Sequence, residues 1–202
     1  MSNRRTATAD RHRTATPAGR RSDGQGNLLR WLLLAVPVVA LAAAIATSVV
    51  LDREEQFVDG ARAAPDFALP TTAGGTLSLD EVLADGDALL YFSMGVGCDG
   101  CFLQIPEIED ALAQRGIELV PIKVDPAEAL VREAARFGID RPMLVDEDRT
   151  VSQAYGMLGQ FGHGDVPSHS FAHVSTEGTI EAVRHYPVMF VPLEQLLADL
   201  EL

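Results

Sequence analysis

Apolar and polar positions alternate along this chain with periods that change from segment to segment. Thr76-Leu77-Ser78-Leu79 alternates strictly after a turn at 71–75, the pattern of a short strand. Asp80 stands where it would cap a brief helix through Leu83. Ala88 to Ser93 is a continuous apolar run and reads as a buried strand. From Cys101 to Arg115 the spacing becomes helical, with Phe102, Ile105, Ile108 and Leu112 on one face and Gly116 as the stop. Ile117 to Val124 alternates again, around Pro121. Asp125 as cap and Pro126 at the first helical position predict a helix to Phe137, closed by Gly138. Met143 to Val145 is a short strand, and Asp148 caps a brief helix through Tyr155. A glycine-rich loop covers 156–165. Strands over 168–174 and 179–184 flank a hairpin turn at Glu177-Gly178, and a helix over 192–200 follows. Alternating strands and helices that end in a hairpin and a helix predict an α/β domain: a central mixed sheet flanked by helices.

The N-terminal quarter obeys neither period. Residues 1–27 are rich in Arg, Thr and Gly and nearly free of large apolar side chains, so they are expected to form a basic, disordered tail. Trp31 to Leu51 carries no charged residue and is long enough to span a bilayer as a helix; residues 28–51 are therefore read as a signal anchor. Seven arginines precede the span, whereas Asp52, Glu54 and Glu55 follow it closely. That places the N-terminus in the cytoplasm and the remainder outside, as a single-pass protein of the cell membrane. The competing reading is a cleaved leader with a small-residue site at Ala44-Ile45-Ala46. Residues 52–64 are expected to be a stalk and 65–202 the folded domain.

Charge narrows the partners. The chain carries a formal net charge of −13, and its first 51 residues are basic, so the domain is strongly acidic. Such a surface repels phosphate backbones and argues against nucleic acid.

Cys98 and Cys101 are the only cysteines among 202 residues. A bridge between them would close too short a loop to constrain the unfolded chain, so a structural staple is the weaker reading. Placed between a buried strand and a helix, Cys98-Asp99-Gly100-Cys101 is a redox dithiol. If Cys98 caps the helix, the free N–H groups of the first turn favour its thiolate. Cys98 is then the nucleophile and Cys101, one turn on, the resolving thiol. Asp99 opposes this, since a carboxylate beside sulfur raises a thiol pKa.

This arrangement resembles the redoxin branch of the thioredoxin fold, which includes the peroxiredoxins (AhpC/TSA-related) and membrane-anchored thiol–disulfide oxidoreductases. Ala64-Pro65-Asp66-Phe67 looks like the opening of such domains, and Pro106 stands where the family keeps a proline in the active-site helix. The resemblance implies a thioredoxin-like enzyme without an organic cofactor. Its partners would be extracytoplasmic proteins that contain cysteines, together with an electron donor or acceptor. Four positions depart from the pattern. Gly97 replaces the usual Trp before the first cysteine, and Phe92 stands where thioredoxins bury an acid. The peroxiredoxin signature would need Pro and Thr where this chain has Tyr91 and Gly95. The family's cis-proline position falls on Pro167 or, by register from the hairpin turn, on His169, which would face the dithiol and stabilise a thiolate or act as acid/base. His163, His169, His173 and His185 cluster in sequence. Cys98, Cys101 and His169 therefore form an alternative ligand set for copper, resembling that of redoxin-fold copper chaperones, which space their cysteines one residue further apart.

Overall fold

The computed structural model describes residues 33–47 and 57–202, and the chain divides into two units, Met1–Ser48 and Val49–Leu202. Of the first unit, residues 33–47 form a helix, α1. Its apolar side chains are open, with Leu33, Leu34, Val36, Val38, Val39, Leu41 and Ile45 all more than half exposed. Among the described residues no helix is long and apolar enough to cross a membrane. The tail 1–27 and both ends of the expected span, 28–32 and 48–51, lie outside the described residues.

The second unit is the expected α/β domain. Its elements are β1 (Phe57–Ala63), β2 (Ala68–Pro70), β3 (Thr76–Ser78), α2 (Leu79–Val82), β4 (Asp87–Phe92), α3 (Asp99–Ala113), β5 (Ile117–Lys123) and α4 (Ala127–Phe137). There follow β6 (Leu144–Val145), α5 (Thr150–Ala154), β7 (His169–Val174), β8 (Thr179–Tyr186) and α6 (Leu193–Leu200). One six-stranded sheet runs in the order β1-β8-β7-β4-β5-β6, and β2-β3 form a separate hairpin. β4, β5 and β6 are parallel, and β7 joins β4 antiparallel, so the sheet is mixed.

Several boundaries differ from the sequence reading, each for a local reason. The expected stalk is partly sheet: Phe57–Ala63 is the edge strand β1, paired antiparallel with β8. Its polar positions hid it, because an edge strand needs only a few apolar anchors. Phe57 supplies one, lying edge-on to Tyr186 at 6.0 Å between ring centroids. The cap of α2 is Ser78 and not Asp80. The Ser78 hydroxyl accepts the Glu81 N–H (3.3 Å) while the Glu81 carboxylate accepts the Ser78 N–H (2.8 Å). Pro126 is itself the N-cap of α4. Asp148 accepts the Thr150 N–H as an expected cap would (3.1 Å), with Arg149 as the residue entering α5.

Strand alternation divides the core between the two faces of the sheet. Ala88, Leu90 and Phe92 point to the face that holds α2, α5 and the β2-β3 hairpin. Leu89 and Tyr91 point to the face of α3 and α6, against Phe102, Ile105, Ile108 and Leu196. Tyr91, Phe92, Phe102 and Ile105 are wholly buried, so both faces of β4 are closed and its C-terminal end delivers the chain to Cys98 from a rigid base.

Candidate active site

β4 ends at Phe92, and residues 93–97 turn the chain into α3. Gly97 adopts φ 96°, a conformation that any residue with a Cβ adopts at a cost, which accounts for glycine where the family's Trp would stand. The turn is tied down from outside: the Val96 N–H donates to the Asp125 carboxylate at 3.0 Å, beyond the end of β5. Cys98 is the N-cap of α3, and its sulfur accepts the Cys101 N–H at 3.3 Å. The two cysteines are joined as a disulfide. The expected asymmetry holds in part. Cys101 is fully buried and Cys98 is 5% exposed, so the expected nucleophile too is nearly covered. Asp99 is less of an obstacle than its sequence position implies. Arg136 of α4 holds both its oxygens at 3.0 Å, offsetting the carboxylate beside Cys98.

The floor of the site is polar, and most of it was not foreseen. Tyr91 is buried, and its hydroxyl lies 3.0 Å from the Cys101 carbonyl and 3.0 Å from His169 Nδ1. His169 Nε2 lies 2.9 Å from Gln104 Oε1. Hydrogen-bond accounting fixes the protons here. Gln104 Nε2 donates to the Val191 carbonyl (3.0 Å) and Oε1 accepts the Val191 N–H (2.7 Å), so the amide is not free to flip. Oε1 therefore needs a donor at Nε2 of His169, which leaves Nδ1 bare as an acceptor. The single phenolic proton of Tyr91 is then shared between Nδ1 and the Cys101 carbonyl. Burial, reinforced by the positive charge of Lys123, pushes the His169 pKa down to about 3, so the ring stays neutral.

His169 thus lies under the dithiol but reaches it through Tyr91. Both ring nitrogens are engaged, so the ligand set Cys98, Cys101 and His169 is not assembled. Among the described residues no group of three or more His, Cys, Asp or Glu is placed to hold a metal ion. The other histidines are elsewhere. His173 sits by Asp87 at 3.3 Å, His163 lies in the glycine-rich loop, and His185 bonds Ser170 on the opposite face. Pro106 lies inside α3 as expected, its ring removing the N–H that would bond the Phe102 carbonyl. Pro167 does not carry a cis bond, since every peptide bond among the described residues is trans. His169, and not Pro167, occupies the first position of β7 beneath the site.

Two further side chains complete the site, and neither was expected there from the sequence, which reads Met189 as core filling. Met189, in the loop after β8, lies with its sulfur 4.0 Å from Cys101 Sγ. A Cβ on Gly100 would meet the Met189 carbonyl at 2.6 Å, so glycine at 100 lets this loop close over the disulfide. Lys123, the last residue of β5, is fully buried. Its ammonium donates to Ser93 Oγ, lies 3.5 Å from the Cys101 carbonyl, and sits 4.3 Å and 5.2 Å from the ring centroids of Tyr91 and Phe102. Burial lowers its pKa to about 7, against a smaller raising effect of Asp125. One signal pointed to it: a lysine among the apolar positions of a strand that is buried on both faces.

A mixed sheet with this dithiol at the head of α3 defines a thioredoxin-like oxidoreductase. Residues 61–183 match the AhpC/TSA family over more than half of the chain, and the chain belongs to that family. It is similar to the thiol-disulfide oxidoreductase ResA of Bacillus subtilis (strain 168), 26% identical over 131 residues that span 63% of this chain and 71% of ResA. It is also similar to Peroxiredoxin Bcp of Escherichia coli (strain K12), 29% identical over 100 residues, 48% of this chain and 64% of that protein. Among solved structures, peroxidoxin BcpB from Mycobacterium tuberculosis superposes with a TM-score of 0.60 over 71% of this chain and 97% of its own, at 23% identity, a likeness of fold.

Proposed function

We propose that this protein is a membrane-anchored thiol–disulfide oxidoreductase, working outside the cytoplasm, that exchanges the Cys98–Cys101 pair with cysteines of partner proteins. The observation that carries the reading is the disulfide itself, at the N-cap of α3 with its second sulfur buried. The Cys98 thiolate attacks a partner disulfide, forming a mixed disulfide and releasing one partner thiolate. Cys101 then attacks the Cys98 sulfur, closing the internal bond and releasing the second thiolate. Two electrons pass to the partner, and the reverse sequence oxidises a partner dithiol. Exposed apolar side chains on α1, between an arginine-rich and an acidic segment, support the anchor.

Cys98→Ser should abolish turnover of a disulfide substrate, and Cys101→Ser should accumulate mixed disulfides with partners. Full activity of Cys98→Ser would end the assignment. Sedimentation of the full chain with membranes, resistant to high salt, tests the anchor. Likeness to a peroxiredoxin supports a second reading, reduction of peroxide by Cys98, although Tyr91 and Gly95 occupy the positions of the peroxiredoxin signature. Hydrogen peroxide consumption by the reduced protein, exceeding its turnover of protein disulfides, would favour that reading.

A further inference from the structure

Lys123 is the only lysine in the chain; every other basic side chain apart from histidine is arginine. The one ammonium is not on the surface, where charge serves solubility, but wholly buried beneath the dithiol. Arginine cannot give up its proton in a protein, and lysine can. The protein therefore places its single lysine under its single pair of cysteines. We propose that Lys123 is the proton store of the dithiol, its amine taking the Cys101 proton when that thiol becomes a nucleophile and returning it to the departing thiolate. The inference rests on the thiol–disulfide reading of the site and adds the route of its proton.

The groups around Lys123 suit this role. Ser93, just beyond β4, accepts one N–H, and the Cys101 carbonyl on α3 lies 3.5 Å away, so the ammonium already addresses the residue whose sulfur must ionise. The rings of Tyr91 and Phe102 favour the cation without offering it a carboxylate. His169 on β7 faces the same space and is held neutral. Asp125, just beyond β5, is the acid whose charge reaches Lys123, and its carboxylate also holds Val96. Asp146, next to β6, donates its N–H to the Lys123 carbonyl, while its carboxylate is turned onto the Val151 and Ser152 amides. Among the described residues no carboxylate therefore forms a closed ion pair with Lys123 that would lock its proton in place. Burial brings the amine into the range where it exchanges protons with thiols near neutral pH.

The step balances as follows. Once Cys98 is bound to a partner sulfur, the Cys101 S–H proton passes to the Lys123 amine, giving a thiolate and an ammonium. The thiolate attacks Cys98 Sγ, the Cys98–partner bond breaks, and the electron pair leaves on the partner sulfur. That thiolate takes the proton from Lys123, directly or through solvent, and restores the amine. In the reduced protein the lysine faces a dithiol that can share its proton; in the oxidised protein it faces a neutral disulfide. Its proton affinity must therefore be higher in the reduced state.

A single lysine makes this directly readable. Full-length protein labelled with carbon-13 at lysine Cε gives one resonance, which is titrated from about pH 5 to 11 in the oxidised protein and in protein held reduced. The expected result is a midpoint at least about one pH unit higher in the reduced state. Equal midpoints overturn the proposal, and this readout needs no variant to fold. In a dithiothreitol buffer, the wild-type equilibrium constant between the two midpoints should change about tenfold more per pH unit than that of Lys123→Met, or about 30 mV for this two-electron couple. A wild type and Lys123→Met with the same slope refute it as well. Neither measurement requires a partner. A lysine shift without turnover of any disulfide would refute the proposed reaction and keep the proton link, and turnover without the shift would do the opposite.

Discussion

Two buried polar clusters lie back to back across β7. His169, with Tyr91 and Gln104, occupies the α3 face, directly under the disulfide. One residue on, Ser170 points to the other face, where it bonds Ser168 (2.8 Å) and His185 Nδ1 (2.8 Å). Both histidines are buried and both are held neutral. Burial lowers His169 to about 3 and His185 to about 4, with a positive charge adding to each, Lys123 for the first and Arg62 for the second. The same residue type under the same desolvation has two different sets of partners. On one face its contacts lead to the Cys101 carbonyl; on the other they lead only to serines. A depressed pKa therefore does not identify a working residue, and the neighbours do.

The comparison can be broken most forcefully at Gln104. Gln104→Ala removes partners from both polar atoms of the Val191 backbone and from His169 Nε2. It should cost about 3 kcal/mol in denaturant unfolding, from several buried groups left unpaired. It should also loosen the loop that carries Met189 and so speed alkylation of reduced Cys101. Gly100→Ala strikes the same loop sterically, by driving a Cβ into the Met189 carbonyl. Unfolding should show a loss of about 1–3 kcal/mol. A stability equal to wild type would mean that the loop yields freely.

Acid acts on both clusters together. An unfolded histidine takes up its proton near pH 6.5, while the folded ones resist until about 3 and 4. Over that interval the unfolded chain holds more protons, so stability falls as pH falls, by up to about 1.4 kcal/mol per unit for each histidine. His169→Asn and His185→Asn should each flatten this slope in pH-dependent unfolding, but only the first should alter the pair's reduction potential. Lys123 acts at the other end of the scale. Its unfolded pKa is near 10.4 and its folded value about 7, so the oxidised fold gains stability as pH rises through that window. Lys123→Met should remove the gain. The smallest effect belongs to Ser170→Ala, about 1 kcal/mol in thermal or denaturant unfolding with the potential unchanged. A shifted potential there would erase the distinction between the two clusters.

What the sequence disclosed divides along similar lines. The order β4, dithiol, α3 was readable because it rests on local signals: an apolar run, the cysteine spacing, and a helical period that continues through Pro106. Counting back from the hairpin turn leads to His169, the first residue of β7, but its partners were not foreseen. Gln104 falls between helix positions chosen for their apolar character, and it matters only because Val191, 87 residues later, folds back over it. Met189 reaches Cys101 across 88 residues. Lys123 resembles an ordinary charged strand end until the sheet closes around it. Contacts of such sequence separation leave no periodic trace. β1 escaped notice for the opposite reason: an edge strand is half solvated, and its pattern resembles a linker.

The edges of this sheet have a consequence for captured polypeptides. β6 is only two residues long, and Thr71 of the neighbouring hairpin bridges to Leu144 there. On the far side the β1 register slips between Asp59 and Arg62. Neither border offers a long, regular row of free amides on which an extended chain could zip up. Under the proposed activity, a client joined to Cys98 hangs from one covalent bond without an added strand to hold it. Its residence time would then be set by the chemistry of a sulfur leaving group and not by backbone pairing.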